Sequence, residues 1–175
     1  TGFFRAAKHE GRWWLVDPEG RLFFSYGLDC VNASANTPID DRETWFRELP
    51  SRDGKYKDCF SKGRGTQFYY RGRAMACFDF GRANLMRKYG APWAETHGAL
   101  AHRRLRSWGV NTIANWSAPD IYLMRKTPYC VAIHCATPAI KAATGHWKTF
   151  PDVFDPKFAE SLRARMAQEK GKSAG

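Results

Sequence analysis

Residues 107–117 read Ser107-Trp108-Gly109-Val110-Asn111-Thr112-Ile113-Ala114-Asn115-Trp116-Ser117. The part from Val110 to Ala114 is short and rich in β-branched residues, and Gly109 is placed to end a helix just before it. A strand that directly follows a helix is typical of chains in which strands and helices alternate. The stretch therefore predicts an α/β protein with a parallel sheet.

Two further apolar runs, one before and one after this stretch in the sequence, predict core strands. Residues 22–28 are almost wholly apolar, which is typical of a strand buried on both faces of a parallel sheet, and residues 129–134 form another run of strand length. Residues 12–16 and 21–24 flank a Pro- and Gly-containing turn over residues 17–20, so we predict an antiparallel hairpin that leads into the first core strand.

Helices are predicted between these strands. Asp79 can cap a helix that Gly90 ends, and a second helix follows over residues 92–108. Asp155 and Pro156 begin a last helix, with Phe158, Leu162 and Met166 on one face and Gly171 as its stop. Shorter helices are expected over residues 42–49 and 120–125.

The order of elements indicates about three βα units after the hairpin. We predict a single partial domain over residues 1–175, in which residues 1–28 form the hairpin and the first core strand. Residues 30–78 are expected to be a long loop insertion, and residues 79–175 supply the βα units. Three core strands make only a small open sheet, whereas a closed (β/α)8 barrel needs about 250 residues.

Composition supports a folded domain and argues against several other classes. The 175 residues are 43% hydrophobic and 15% aromatic, which is ample material for a core. No run approaches the roughly 18 to 20 apolar residues of a membrane span, so we expect no membrane partner. The chain begins with a threonine, which suggests a segment of a longer protein.

The chain is basic, with 28 Lys and Arg against 17 Asp and Glu and a net charge of +11. Residues 42–73 hold nine basic side chains against four acidic ones, interleaved with Tyr and Phe residues. A solvated loop is the favoured interpretation of this segment. A basic module that binds nucleic acid by phosphate contact and stacking is the less favoured alternative.

Neither a metal nor a cofactor is predicted. The five cysteines form no C-x-x-C pair, and Cys130 and His134 have ligand chemistry but lie in an apolar strand-like run. No glycine fingerprint of the dinucleotide or phosphate-binding type follows any predicted strand.

Candidate binding residues are those that follow the predicted core strands, because ligands of βα proteins bind at the carboxyl ends of the strands. Trp13 and Trp14 are assigned instead to packing of the hairpin. No catalytic residue is assigned. The predicted substrate-binding residues are Asp29, Asn115, Trp116, Ser117, His134, Trp147 and Asp152.

Spaced segments of the chain also carry a resemblance to the β-agarase-like glycoside hydrolases of family fifty. These segments are Gly2-Phe3-Phe4-Arg5, Gly11-Arg12-Trp13-Trp14-Leu15-Val16-Asp17-Pro18-Glu19-Gly20, Leu22-Phe23-Phe24-Ser25, the stretch over residues 107–117 and Phe150-Pro151-Asp152-Val153-Phe154-Asp155-Pro156. The resemblance implies the N-terminal portion of a (β/α)8 TIM barrel. It further implies that the parent protein cleaves β-linked galactans such as agarose with two Glu residues.

This sequence departs from the family at its catalytic residues. The family's general acid/base is a Glu directly after an Asn, and the chain contains no Asn-Glu pair. Retaining hydrolysis needs two carboxyl groups about 5 to 5.5 Å apart, and no such pair is evident here. The resemblance therefore implies either the glycan-binding part of an agarase-like parent or a catalytically silent carbohydrate-binding fragment. The expected partner is an agarose-like galactan, including sulfated forms, and export of the parent is expected from the resemblance alone.

Overall fold

The computed structural model describes residues 2–64, 70–140 and 150–172, and within these ranges it contains both strands and helices. Two compact units are present, residues 1–30 with 110–175 and residues 31–109. The elements are β1 (Arg5–His9), β2 (Arg12–Val16), β3 (Leu22–Phe23), β4 (Gly27–Leu28), β5 (Asn36–Pro38), β6 (Phe60–Arg64), β7 (Ala74–Asp79), α1 (Phe80–Tyr89), α2 (Trp93–Ser107), β8 (Thr112–Ile113), α3 (Pro119–Tyr122) and α4 (Pro156–Ala167), with single 3-10 turns at Glu43–Trp45 and Lys57–Cys59. The α/β class predicted from the sequence is confirmed at this level.

The predicted hairpin is present in the first unit. β2 and β3 pair antiparallel, with Leu15 opposite Phe23. The Asp17 carbonyl accepts a hydrogen bond from the Gly20 N–H at 3.0 Å. The Asp17 carboxylate accepts another from the Arg21 N–H at 2.8 Å, so this one residue closes the turn through both its backbone and its side chain. The strand β1 was not predicted from the sequence, and it pairs antiparallel with β2.

The prediction of one doubly buried strand over residues 22–28 is wrong. The segment changes its pairing partner between β3 and β4, and Phe24 and Tyr26 are 74% and 58% exposed. The cause lies in the side chain of Asn111, which donates to the Phe24 carbonyl and accepts from the Tyr26 N–H, both at 2.9 Å. This amide satisfies backbone groups that a continuous ladder would otherwise pair.

The parallel relation between core strands is confirmed for β4 and β8, with Gly27 opposite Thr112 and Leu28 opposite Ile113. A parallel bridge then joins Ile113 to Tyr129. The predicted strand over residues 129–134 is otherwise wrong, since it is reduced to this bridge. The ladder stops because β8 spans only two residues, so the segment beyond residue 130 finds no extended partner in it.

The second unit replaces much of the expected loop with a sheet. Within residues 30–78, the strands β5, β6 and β7 form an antiparallel sheet in the order β5-β7-β6. Its buried core contains Ile39, Cys59 and Phe78. The strands escaped prediction because β6 reads Phe-Ser-Lys-Gly-Arg and β5 contains a proline, and neither has the apolar alternation of a half-buried strand.

The two long helices of this unit agree with prediction. The Asp79 carboxylate caps α1 by accepting from the Arg82 N–H at 2.9 Å, and Gly90 ends that helix with a φ of 71°. The predicted helix over residues 42–49 is wrong, because only a 3-10 turn forms there. Phe46 is extended, and it packs with Leu49 against the core.

The remaining helices lie in the first unit. The helix predicted over residues 120–125 is a single turn, α3, that begins at Pro119. In α4 the Asp155 carboxylate accepts from the Lys157 N–H at 2.8 Å, and Phe158 and Leu162 are half-buried. Met166, expected on the same packed face, is mostly exposed. Among the described residues, none of the helices has the length and apolar character required to cross a bilayer.

Candidate functional site

The carboxyl ends of β4 and β8 lie side by side in the first unit. The Ala114 N–H donates to the Leu28 carbonyl at 2.8 Å, and the Cys30 N–H donates to the Asn115 carbonyl at 2.8 Å. Parallel pairing therefore continues past the ends of both strands and places the backbone of Asp29 beside that of Asn115. The structure brings together two of the predicted binding residues that are 86 positions apart in the sequence.

A residue in the left-handed conformation follows each strand within three positions. Cys30 has a φ of 57° and Trp116 a φ of 56°. A left-handed conformation costs a residue with a Cβ about 1–2 kcal/mol, and such residues concentrate at binding and catalytic sites. Nothing in the sequence identified them, because neither residue is a glycine or an asparagine. Their position after two adjacent strands singles out this edge of the sheet.

Asn115 fixes the turn after β8 and keeps donor groups available. Its side-chain oxygen accepts from the Trp116 N–H at 3.0 Å, and the residue is half-buried. Within the described part of the chain its amide nitrogen makes no hydrogen bond, so two N–H donors remain for a ligand. Trp116, held by this turn, is 64% exposed and offers a large aromatic face.

A groove of about 430 Å³ begins at Trp116. Three of the predicted residues, Trp116, Ser117 and His134, line it. Tyr122 and Tyr129 also line the groove, although neither was predicted from the sequence. Their rings stack with centroids 4.7 Å apart and planes inclined by 22°. The groove combines aromatic surface with a few polar groups, as sites for small polar ligands commonly do.

A charged cluster on and just after α4 forms another part of the groove lining. The Arg165 Nη1 atom lies 2.5 Å from Glu169 Oε1, and Lys172 Nζ lies 3.4 Å from the same oxygen. The hydrogen bond from Arg165 holds the pKa of Glu169 below its ordinary value. Glu169 therefore stays ionised at neutral pH and does not have the properties of a general acid. The i,i+4 spacing of Arg165 and Glu169 is the sequence signal that could have identified this pair.

Both stacked tyrosines are half-buried. Burial raises the pKa of Tyr122 above its ordinary value, and electrostatic interactions with Glu169 and Tyr129 add to the rise. The Tyr129 hydroxyl is buried and has no hydrogen-bond partner among the described residues. The Tyr122 phenol is therefore neutral at physiological pH. The two stacked rings provide flat surface, and their hydroxyls are hydrogen-bonding groups.

Two other predicted site residues, Asp29 and Asp152, do not line the groove. Asp29 is at the strand edge, but it is not one of the residues lining the groove. The Asp152 carboxylate accepts from the Phe154 N–H at 3.0 Å and so shapes the turn before α4. Trp147 lies outside the described residues. A binding role for each of these residues stays a prediction.

A second cavity of about 490 Å³ lies beside the hairpin and is lined largely by apolar residues, including Phe3, Phe4 and Phe23. It contains none of the predicted binding residues, so the groove at Trp116 is the better candidate site. In the described ranges no cluster of three or more His, Cys, Asp or Glu side chains has the arrangement of a metal site.

Comparison with known proteins identifies relatives with one activity. Beta-agarase B of Vibrio sp. (strain JT0107) is 30% identical over 190 residues, a match that covers 94% of this chain and 20% of that protein. Beta-agarase A of the same organism is 27% identical over 198 residues, covering 98% of this chain and 18% of that protein. The chain thus spans about a fifth of the length of these curated relatives. No protein-family model matches it.

Solved structures agree with the sequence comparison. The crystal structure of an agarase, AgWH50C, superposes with a TM-score of 0.77 at 27% identity and covers 98% of this chain and 27% of that one. The structure of PfGH50B gives a TM-score of 0.78 at 25% identity, covering 96% of this chain and 28% of the other. The predicted resemblance to β-agarase-like glycoside hydrolases is confirmed.

Proposed function

Because this chain resembles β-agarases over nearly its whole length, we propose that it forms part of a glycoside hydrolase that cleaves β-linked galactan such as agarose. The relatives named above are agarases, and two of them are aligned over 94% and 98% of this chain. In this proposal the described residues contribute glycan-binding surface. None of them is assigned the role of either catalytic Glu of such enzymes.

The fold proposal that accompanies this function is a (β/α)8 barrel. The parallel pairing of β4 with β8, and of Ile113 with Tyr129, is the pairing that consecutive strands of such a barrel make. In that fold the apolar side chains of residues 22–28 would be covered by further units. The isolated 175 residues should therefore self-associate through this exposed surface. A sharp unfolding transition that does not depend on protein concentration would argue against the barrel.

The observation that carries the binding proposal is the shared edge of β4 and β8. Asp29 and Asn115 are adjacent there, and Trp116 begins the groove that His134 and Ser117 also line. In this proposal the exposed Trp116 ring stacks on the apolar face of a galactose ring, and the free amide donors of Asn115 bind sugar hydroxyls. The imidazole of His134 supplies another polar contact.

The test uses the natural polypeptide that carries these residues, assayed for release of reducing sugar from agarose. Trp116→Ala removes the stacking surface, and we expect the KM for agarose to rise about tenfold, equivalent to about 1.4 kcal/mol. Trp108→Ala is the matched control, because Trp108 is similarly exposed, at 61% against 64%, and does not line the groove. A folded protein that releases no sugar would refute the enzymatic proposal, and equal effects of the two substitutions would refute the assigned role of Trp116.

The second candidate function is a catalytically silent carbohydrate-binding protein. It is favoured by the groove itself, in which the carboxylate Glu169 is ion-paired and no second carboxylate lines the described surface. Co-sedimentation with insoluble agarose separates the two proposals. Binding that is lost in Trp116→Ala, without release of reducing sugar by the natural polypeptide, would establish the silent form.

A further inference from the structure

The second unit carries a cluster of one cation and two aromatic rings that the proposed agarase function does not use. The guanidinium carbon of Arg42 lies 5.4 Å from the Trp45 ring centroid and 5.4 Å from the Tyr70 ring centroid. Trp45 is 75% exposed, whereas Arg42 and Tyr70 are half-buried. A large aromatic face and a positive charge are thus presented together at the surface.

Backbone hydrogen bonds fix the turn that carries Arg42 and Trp45. The Trp45 N–H donates to the Arg42 carbonyl at 2.8 Å, and the Arg42 N–H donates to the carbonyl of Ile39 at 3.0 Å. Ile39 is 1% exposed and belongs to the core of the sheet, so the turn is anchored to buried structure. Asp41, within the turn, adopts a left-handed φ of 57°.

The Arg42 side chain is oriented on three sides. Its Nη1 atom donates to the Asp40 carbonyl at 2.9 Å, while its guanidinium carbon lies over the two rings, 5.4 Å from each centroid. The Asp40 carboxylate accepts from the Ala76 N–H and so ties this loop to β7. A guanidinium has five N–H donors, so most of those of Arg42 remain for a ligand. Because the Arg42 side chain is already held in place, it loses little rotamer entropy when the ligand binds.

The segment that carries the cluster has a net positive charge. Residues 40–73 contain nine Lys and Arg residues against six Asp and Glu residues; Asp40, Asp41 and Glu43 lie next to Arg42 in the sequence, and the Asp40 carboxylate accepts the Ala76 N–H. Two further cations in this segment lie over rings, Arg52 at 4.9 Å from the Phe60 centroid and Lys55 at 5.5 Å from that of Tyr56. Neutral agarose has no group that would pair with such cations, whereas a sulfate ester accepts the planar fork of an arginine.

We propose that the Arg42–Trp45–Tyr70 cluster is a binding site for a sulfated galactan. Arg42 binds a sulfate through its free N–H groups, and Trp45 stacks on the adjacent sugar ring. The proposal rests on the proposed function for the galactan backbone of the ligand, and it adds the sulfate. The cluster lies entirely within residues 31–109, in a different compact unit from the groove at Trp116.

Affinity electrophoresis in gels that contain λ-carrageenan, a sulfated galactan, tests the site, with neutral agarose gels for comparison. We expect retardation by carrageenan, with Arg42→Gln and Trp45→Ala each weakening the affinity about tenfold. Arg47→Gln is the matched charge control, because Arg47 is exposed and lies outside the cluster, and its effect should stay below about twofold. Trp45→Phe keeps an aromatic ring and should retain most of the binding.

Specific outcomes would overturn the proposal. Equal losses in Arg42→Gln and Arg47→Gln would show general charge attraction, and equal retardation by both gels would show that sulfate is not recognised. A single-stranded oligothymidylate that binds as tightly as carrageenan, with the same loss in Trp45→Ala, would assign the cluster to nucleic acid. Hydrolysis of neutral agarose by the unmodified protein is measured separately, so failure of this site is distinguishable from failure of the proposed enzyme.

Discussion

Gly27 is the residue on which the parallel pairing of β4 and β8 most directly depends. A Cβ atom added there would lie 2.6 Å from the Thr112 carbonyl oxygen and 2.9 Å from the Thr112 Cβ. The first of these atoms belongs to the backbone and cannot rotate away. The substitution Gly27→Ala therefore forces the two strands apart.

The size of the effect follows from the contacts at this point. Overpacking of this kind costs about 1–3 kcal/mol. Separation of the strands also weakens the hydrogen bonds that the Leu28 and Asn115 carbonyls accept, each worth about 1 kcal/mol. Replacing a glycine within a strand returns about 0.5–1 kcal/mol through lower chain entropy. We expect the free energy of unfolding to fall by about 2 kcal/mol.

Urea unfolding, followed by circular dichroism, measures this change. Gly63→Ala is the matched control, because Gly63 also lies in a strand, β6, and an added Cβ would have no neighbour within 4 Å. The control should unfold at the same urea concentration as the unmodified chain, or slightly above it. If Gly27→Ala and Gly63→Ala unfold alike, the close pairing of β4 with β8 is refuted, and with it the shared edge of Asp29 and Asn115.

Three further predictions concern single side chains. The Arg165 hydrogen bond keeps the folded-state pKa of Glu169 below its ordinary value of 4.5. This pair therefore stabilises the fold above pH 4.5, and the stabilisation is lost as the pH falls through the lower folded-state pKa. The difference in urea midpoint between the unmodified chain and Glu169→Gln should accordingly shrink in acid, and a difference independent of pH would contradict this. Asp79→Ala removes an acceptor that serves two N–H groups at 2.9 Å, those of Arg82 and Ala35, and should destabilise the chain by about 2 kcal/mol, whereas Asp79→Asn, which keeps an oxygen acceptor, should cost less. Burial raises the pKa of the Cys59 and Cys77 thiols, so both should react slowly with iodoacetamide. Mass spectrometry after brief treatment should find these two thiols unmodified while the exposed cysteines react. Early labelling of Cys59 or Cys77 would contradict their burial. The exposed cysteines are Cys30 and Cys130.

Local chemistry alone determined several elements of this protein. The Asp17 turn, the Asp79 and Asp155 caps and the glycine that ends α1 were all predicted correctly, because each depends on side-chain and backbone groups within four residues. The α/β class followed from the order of such elements. The resemblance to agarases likewise needed only the residues themselves.

The tertiary structure decided strand length and the composition of the candidate site. Residues 22–28 look like one strand in the sequence, but the side chain of Asn111, more than 80 residues away, satisfies backbone groups at their centre and divides the segment in two. The groove at Trp116 gathers Tyr122, Tyr129 and Glu169 from separate elements. Local sequence can specify a cap or a turn because the groups involved are neighbours in the chain. Which distant backbone group an amide will satisfy, and which rings will stack, depends on the packing of the whole unit.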